Sequence, residues 1–106
     1  MSKINQVAIY LDVFNVEEAA EYYKTIFSFK AQSFNNEIVR LEKDNCVLLL
    51  SQKAKPSITT FGLFVDDSLS LKKIIEQNEI SHDYDSAKRE WQIKDSSGNT
   101  IVIVNS

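Results

Sequence analysis

The chain has 106 residues, 43% of them apolar and 25% charged, and a formal net charge of -3. That composition supports a packed core and excludes a disordered chain, while mild acidity with no basic run beyond Lys72-Lys73 speaks against nucleic acid as a partner. No stretch is long enough to span a bilayer and no apolar signal segment precedes the first strand pattern, so no membrane partner is expected and the cytoplasm is the expected location.

Gln6 to Val13 is rich in β-formers and predicts a strand. Asn15 offers an N-cap with Glu18 in capping-box position. Val16, Ala19, Ala20, Tyr23 and Phe27 then recur at helical spacing, with Glu17, Glu21 and Lys24 on the other side, which predicts an amphipathic helix lying on a sheet. Phe29 to Phe34 and Glu37 to Lys43 predict two strands joined at Asn35-Asn36, a pair tolerant of left-handed backbone. Asp44-Asn45 is a second turn, and Cys46 to Ser51 is a continuously apolar strand. Cys46 is the only cysteine, so no disulfide can form within the chain, and its setting reads as that of a small buried hydrophobe. Gln52 to Ser57, with the only proline, reads as a linker.

Ile58 to Asp66 predicts another strand. Asp67 or Ser68 caps a helix whose core-facing residues are Leu71, Ile74 and Ile75, with Asn78 as its stop and Ile80 buried just beyond. His82 to Lys88 is a polar strand. In Arg89 to Ile103, Trp91 and Ile93 alternate with polar residues, Asp95-Ser96-Ser97-Gly98-Asn99 is a turn, and Ile101-Val102-Ile103-Val104 reads as a strand buried on both faces. The order strand, helix, strand, strand, strand thus occurs twice. The expected organisation is one domain over residues 1–106 made of two βαβββ modules, about 1–53 and 58–106.

Several of these segments look like those of one known family. Val7-Ala8-Ile9-Tyr10-Leu11 looks like its opening strand. Ala19-Ala20-Glu21-Tyr22-Tyr23 looks like its A-x-x-FY helix, followed by Phe27-Ser28-Phe29 where LGF is usual. Phe61 to Asp67 looks like the strand opening the second module, and Trp91 to Ile101 like the closing F-x-x-x-DPDGN-x-I hairpin. In this order, across nearly the whole chain, they resemble the vicinal oxygen chelate superfamily of glyoxalase I, bleomycin resistance proteins and extradiol dioxygenases. The resemblance implies an α+β fold in which two βαβββ modules curl mixed sheets around a pocket, commonly as a homodimer.

In metal-dependent members, His and Glu side chains from the first and last strands of each module hold a divalent ion that polarises substrate oxygens. Carried across by the resemblance, those positions are Gln6, Thr60, Leu49 and Val102, two weak neutral donors and two hydrocarbons. A one-residue slip brings in Val7, Phe61, Leu48, Leu50, Ile101 and Ile103, which are no better. The expectation is therefore no metal and no cofactor, with metal-dependent glyoxalase or dioxygenase activity disfavoured.

If the odd residues of the first strand pack against the helix, Gln6, Ala8, Tyr10 and Asp12 face the cavity, together with Leu49, Thr60, Gly62, Phe64 and Val102. Tyr10 and Phe64 read as ligand contacts or as core, and Gln6 and Asp12 as ligand contacts or as strand-end surface. Arg40, between Val39 and Leu41, reads as a surface residue or as a fixed cation for an anionic ligand. Trp91 could stack on a planar ligand, or belong to the core if the hairpin pairs it with Ile103. His82, the only histidine, reads as a surface or rim residue, with a lone acid/base as the alternative. The candidate ligand-binding set is Gln6, Tyr10, Asp12, Arg40, Leu49, Thr60, Phe64, Trp91 and Val102, with no catalytic residue assigned. The leading reading is a metal-free protein that sequesters or senses a small, partly apolar or planar ligand. A metal-independent lyase or isomerase using Tyr10, His82 or Arg40, and a dimeric interaction module with a filled core, stand beside it.

Overall fold

The computed structural model describes residues 2–33 and 35–105. The chain divides into two compact units with the boundary between Ser57 and Ile58. The first contains β1 (Val7–Val13), α1 (Val16–Phe27), β2 (Lys30–Ser33), β3 (Ile38–Lys43) and β4 (Cys46–Gln52). The second contains β5 (Thr60–Val65), α2 (Ser68–Gln77), β6 (His82–Asp85), β7 (Glu90–Lys94) and β8 (Thr100–Asn105). Each is a βαβββ module, and each forms a four-stranded mixed sheet, ordered β1-β4-β3-β2 and β5-β8-β7-β6. The first strand of each unit runs parallel to the last, and the other neighbours are antiparallel. No helix among the described residues is long and apolar enough to cross a membrane.

Local chemistry sets the element ends. The Asn15 side chain accepts a hydrogen bond of 2.9 Å from the Glu18 N–H and so satisfies one of the orphan donors of α1. Glu17 and Glu18 in the first turn and Lys24 in the last suit the helix dipole. The apolar stripe is buried as expected, with Ile26 added to it. Asp67, not Ser68, caps α2, and hydrogen bonds from the Ser70 hydroxyl and N–H hold its carboxyl below the usual carboxylate range. Asn78 ends that helix. Several strands are shorter than expected, among them β2, β5 and β6. Phe29 is buried just ahead of β2, and Phe34 lies outside the described residues. The strand begun at His82 stops at Asp85, because the Asp85 carboxylate accepts the N–H groups of Ala87 and Lys88 and turns the chain.

Each sheet has one face covered by its own helix. In the first unit α1 lies across β2, β3 and β4, and Leu11, Val13, Val39, Leu41, Leu48 and Leu50 form the buried floor beneath it. Tyr23, Phe27 and Phe29 extend this core as an aromatic row, with centroids 6.4 and 6.2 Å apart. In the second unit α2 lies on β8, and the floor is Phe61, Ile93, Ile101 and Ile103, with Ile75 from the helix. Of the expected core positions of α2 only Ile75 is fully buried; Leu71, Ile74 and Ile80 are half-buried. The outgoing strand of the hairpin is also a correction. Ile101 and Ile103 are buried, but Val102 and Val104 are only half-buried, because no helix covers their face.

The turn between β7 and β8 is a buried polar knot. The Asp95 carboxylate accepts from the Ser97 N–H (3.0 Å), the Asn99 N–H (2.9 Å) and the Asn99 side-chain amide (3.0 Å). Asn99, with 0% exposure, passes the connection on: its Oδ1 accepts the Thr59 N–H at 2.9 Å, one residue before β5. Gly98 sits at φ 93°, a backbone region that favours glycine, and its N–H closes the turn onto the Asp95 carbonyl at 3.1 Å. The motif Asp95…Gly98-Asn99 therefore joins the last hairpin to the first strand of its unit.

Two substitutions test these features. Asn99→Ala removes both bonds and leaves buried polar groups unpaired, so it is expected to cost about 2–4 kcal/mol in urea unfolding. Ser28 caps α1 in the left-handed region (φ 62°, ψ 35°) with its N–H on the Lys24 carbonyl. Ser28→Gly relieves that conformation, and unfolding should show about 1 kcal/mol of added stability.

Candidate functional site

Strand alternation sends every second residue away from the helix. In the first unit the helix-free face carries Ala8, Tyr10 and Asp12 from β1, Val47, Leu49 and Ser51 from β4, and Ile38, Arg40 and Glu42 from β3. Tyr10 is directly beside Leu49, and Leu49 is directly opposite Arg40, so the three form one row across three strands. Tyr10 is 73% exposed. In the second unit the same face carries Thr60, Gly62 and Phe64, then Thr100, Val102 and Val104, then Glu90 and Gln92. Phe64 is 74% exposed and lies beside Val104, while Val102 lies beside Gly62.

Arg40 is held in place. Its Nη2 donates to Gln6 Oε1 at 3.2 Å and pairs with Glu42 Oε2 at 3.3 Å. The Gln6 side-chain amide also donates to Glu42 Oε1. This bridge from the start of β1 to β3 crosses β4, whose residue in the Glu42 row is Val47; Val47 is 3% exposed although it faces away from the helix. Beside Arg40 lies a depression of about 590 Å³, lined among others by Ser28, Lys30, Gln32, Glu42 and Asp44. The sequence singled out Gln6 and Arg40 separately; it did not mark Glu42 or the depression. That Arg40 and Glu42 share a face was readable from their spacing of two, but the bond to Gln6 spans 34 residues and depends on register.

The remaining candidates divide. Asp12 Oδ2 accepts the Ser57 N–H at 3.2 Å and so helps hold the linker. Trp91 does not join the others: it is paired with Ile103 and therefore faces α2. There it stacks on Tyr84 (centroids 4.4 Å apart) and His82 (5.5 Å), with Lys72 Nζ 5.1 Å from its ring centre. His82 lies on the same side, its Nδ1 donating to the Ile80 carbonyl at 3.0 Å, and is no partner for Tyr10-type chemistry on a helix-free face. Cys46 is half-buried, and burial pushes its thiol up, which keeps it protonated and unreactive.

The residues do not fit a divalent ion. Gln6 Oε1 already accepts from a guanidinium, whose charge repels a second cation. Val7 lies beside Cys46 and Tyr10 beside Leu49, so Leu49 is about four residues, or roughly 13 Å, along the sheet from the level of Gln6. Thr60 and Val102 are two residues out of step. Among the described residues no three His, Cys, Asp or Glu side chains are grouped to hold a metal.

No family model matches the sequence, and no curated protein does. Solved structures do match. The chain is similar to a lactoylglutathione lyase from Agrobacterium tumefaciens at 19% identity and TM-score 0.76, over 100% of this chain and 95% of that one. It is similar to an integron cassette protein from the mobile metagenome of the Halifax Harbour sewage outfall at 17% identity and TM-score 0.81, over 95% and 97% of the two chains. A structure described as a possible glyoxalase from Bacillus cereus matches at 17% identity and TM-score 0.77, over 93% and 96%. The α+β fold of two mixed four-stranded sheets and two helices is thus the glyoxalase/bleomycin resistance fold, in agreement with the resemblance of the sequence to the vicinal oxygen chelate proteins.

With Trp91 on the helix side, Trp91→Ala is expected to lower stability by roughly 2–3 kcal/mol, less than for a fully buried tryptophan. It should leave the affinity for any ligand of the helix-free faces unchanged, which unfolding and titration measure separately.

Proposed function

We propose that the protein is a metal-free binder of a small, partly apolar or planar molecule, held on a helix-free sheet face, which it sequesters or senses. The observation that carries this reading is the pair of exposed rings, Tyr10 and Phe64, each beside an aliphatic neighbour on a face that no helix covers. Exposed aromatic surface beside aliphatic side chains, with few polar anchors, is the composition of small-molecule sites. At the positions that the sequence resemblance assigns to metal donors stand the hydrocarbons Leu49 and Val102, and Gln6, another of them, is engaged by Arg40. The fold by itself does not choose between binding and lyase chemistry. The lyase reading loses support from His82, which lies on the helix side of its sheet, opposite the face that carries Phe64.

A homodimer is the second reading, favoured by the exposed apolar residues Ile4, Val7, Phe14 and Tyr10 along and around β1. Sedimentation of the purified chain tests it: a monomer at tens of micromolar rejects it.

Thermal-shift screening against planar and aromatic compounds tests the main reading. A ligand at 100 times its Kd should add about 2.7 kcal/mol of stability. Tyr10→Ala or Phe64→Ala should reduce that shift while changing the unliganded protein little, because both rings are exposed. Stoichiometric nickel, zinc, iron or manganese in the purified protein would contradict the proposal.

A further inference from the structure

Resting on the binding reading above, we infer that the ligand of the first unit is an aromatic carboxylate, with its ring over Leu49 against Tyr10 and its carboxylate on Arg40. The three residues occupy one register row on β1, β4 and β3. Adjacent strands are about 4.8 Å apart, so the row is about 10 Å wide, a span that a fused ring bearing a carboxylate fills. The order along the row is aromatic wall, aliphatic floor, cationic end.

Arg40 suits the task because it is both fixed and incompletely used. A guanidinium has five N–H donors. Gln6 accepts one of them from Nη2 and Glu42 forms an ion pair at the same nitrogen, which leaves those on Nη1 and Nε without a partner among the described residues. The same two contacts fix the plane of the group, which lowers the ordering cost of binding. Glu42 offsets one charge, but the depression beside Arg40 is lined by Lys30, Arg40 and Lys43 against Glu42 and Asp44, three cations to two anions. A single excess charge suits a monoanion rather than a dianionic phosphate.

The second unit supplies the contrast. Beside Phe64 and Val104 its row continues to Glu90 and Asp85, and the row through Val102 ends at Asp83. That face would repel an anion. The carboxylate preference is therefore assigned to the first sheet alone.

The test uses the full chain with 2-naphthoate and its neutral isostere 2-naphthamide, read by calorimetry and by NMR shift mapping. The expected result is tighter binding of naphthoate, by roughly tenfold or more, as for a charge-assisted hydrogen bond, with shifts centred on Tyr10, Leu49 and Arg40. Arg40→Gln should bring the two affinities together, and Tyr10→Ala should weaken both. Arg40→Lys, which keeps the charge, should retain part of the preference and serves if the glutamine variant does not fold. Equal affinities in the wild type, or a preference that survives Arg40→Gln, would overturn the carboxylate assignment and leave the binding reading standing. If neither compound binds while other planar ligands shift the melting temperature, the assignment falls alone. If no planar compound does so, both fall.

Discussion

Each sheet has two faces and only one helix to cover them, and the alternation of side chains along a strand decides which residues each face receives. That constraint produces the core. It places Leu11, Leu41 and Leu48 under α1, and Ile93, Ile101 and Ile103 under α2. It also produces the candidate site, because the residues between them have nowhere to point but the uncovered side. Tyr10, Leu49 and Arg40 share a face only because β1 and β3 both pair with β4 in the observed register. A slip of one residue in either pairing would have moved one member to the far side.

This is also why the fold was more legible in the sequence than the site. Helices announce themselves locally. Asn15 with Glu18, and the stripe from Val16 to Phe27, fix α1 without any knowledge of the rest of the chain. Turn chemistry at Asp95 to Asn99 likewise marked the hairpin, although its bond to Thr59, 40 residues away, was out of reach. Faces are different, since they depend on pairing. Trp91 read more readily as core than as a ligand contact, and only its pairing with Ile103 placed it on the helix side. The β-branched run Ile101 to Val104 suggested burial on both sides, yet hydrocarbon on a strand does not state what covers it. In β8 one face is under α2 and the other is not.

The bridge of Gln6, Arg40 and Glu42 fixes a cation on the helix-free face of the first sheet. Gln6 accepts a hydrogen bond from the Arg40 guanidinium, and the guanidinium in turn is aimed by it. A cation supplied by the chain needs no free metal, cannot exchange ligands and cannot act as an open-coordination Lewis acid. It can orient and discriminate.

The two halves make the same point by their differences. They keep one topology, one helix per sheet, and one contact from the last strand to the helix start: Gln52 Oε1 accepts the Val16 N–H, and Asn105 Oδ1 accepts the Ser68 N–H. They diverge on the helix-free faces: the row of Leu49 continues to Arg40, whereas the matching row of Val102 continues to Gln92 and Asp83. Packing explains the shared features, because both helices need a hydrocarbon floor. It does not require a cation or a neutral amide on the uncovered faces, where water would accept either. The guanidinium of Arg40 on one face and the neutral amide of Gln92 at the matching place on the other are therefore not set by what either unit needs in order to fold.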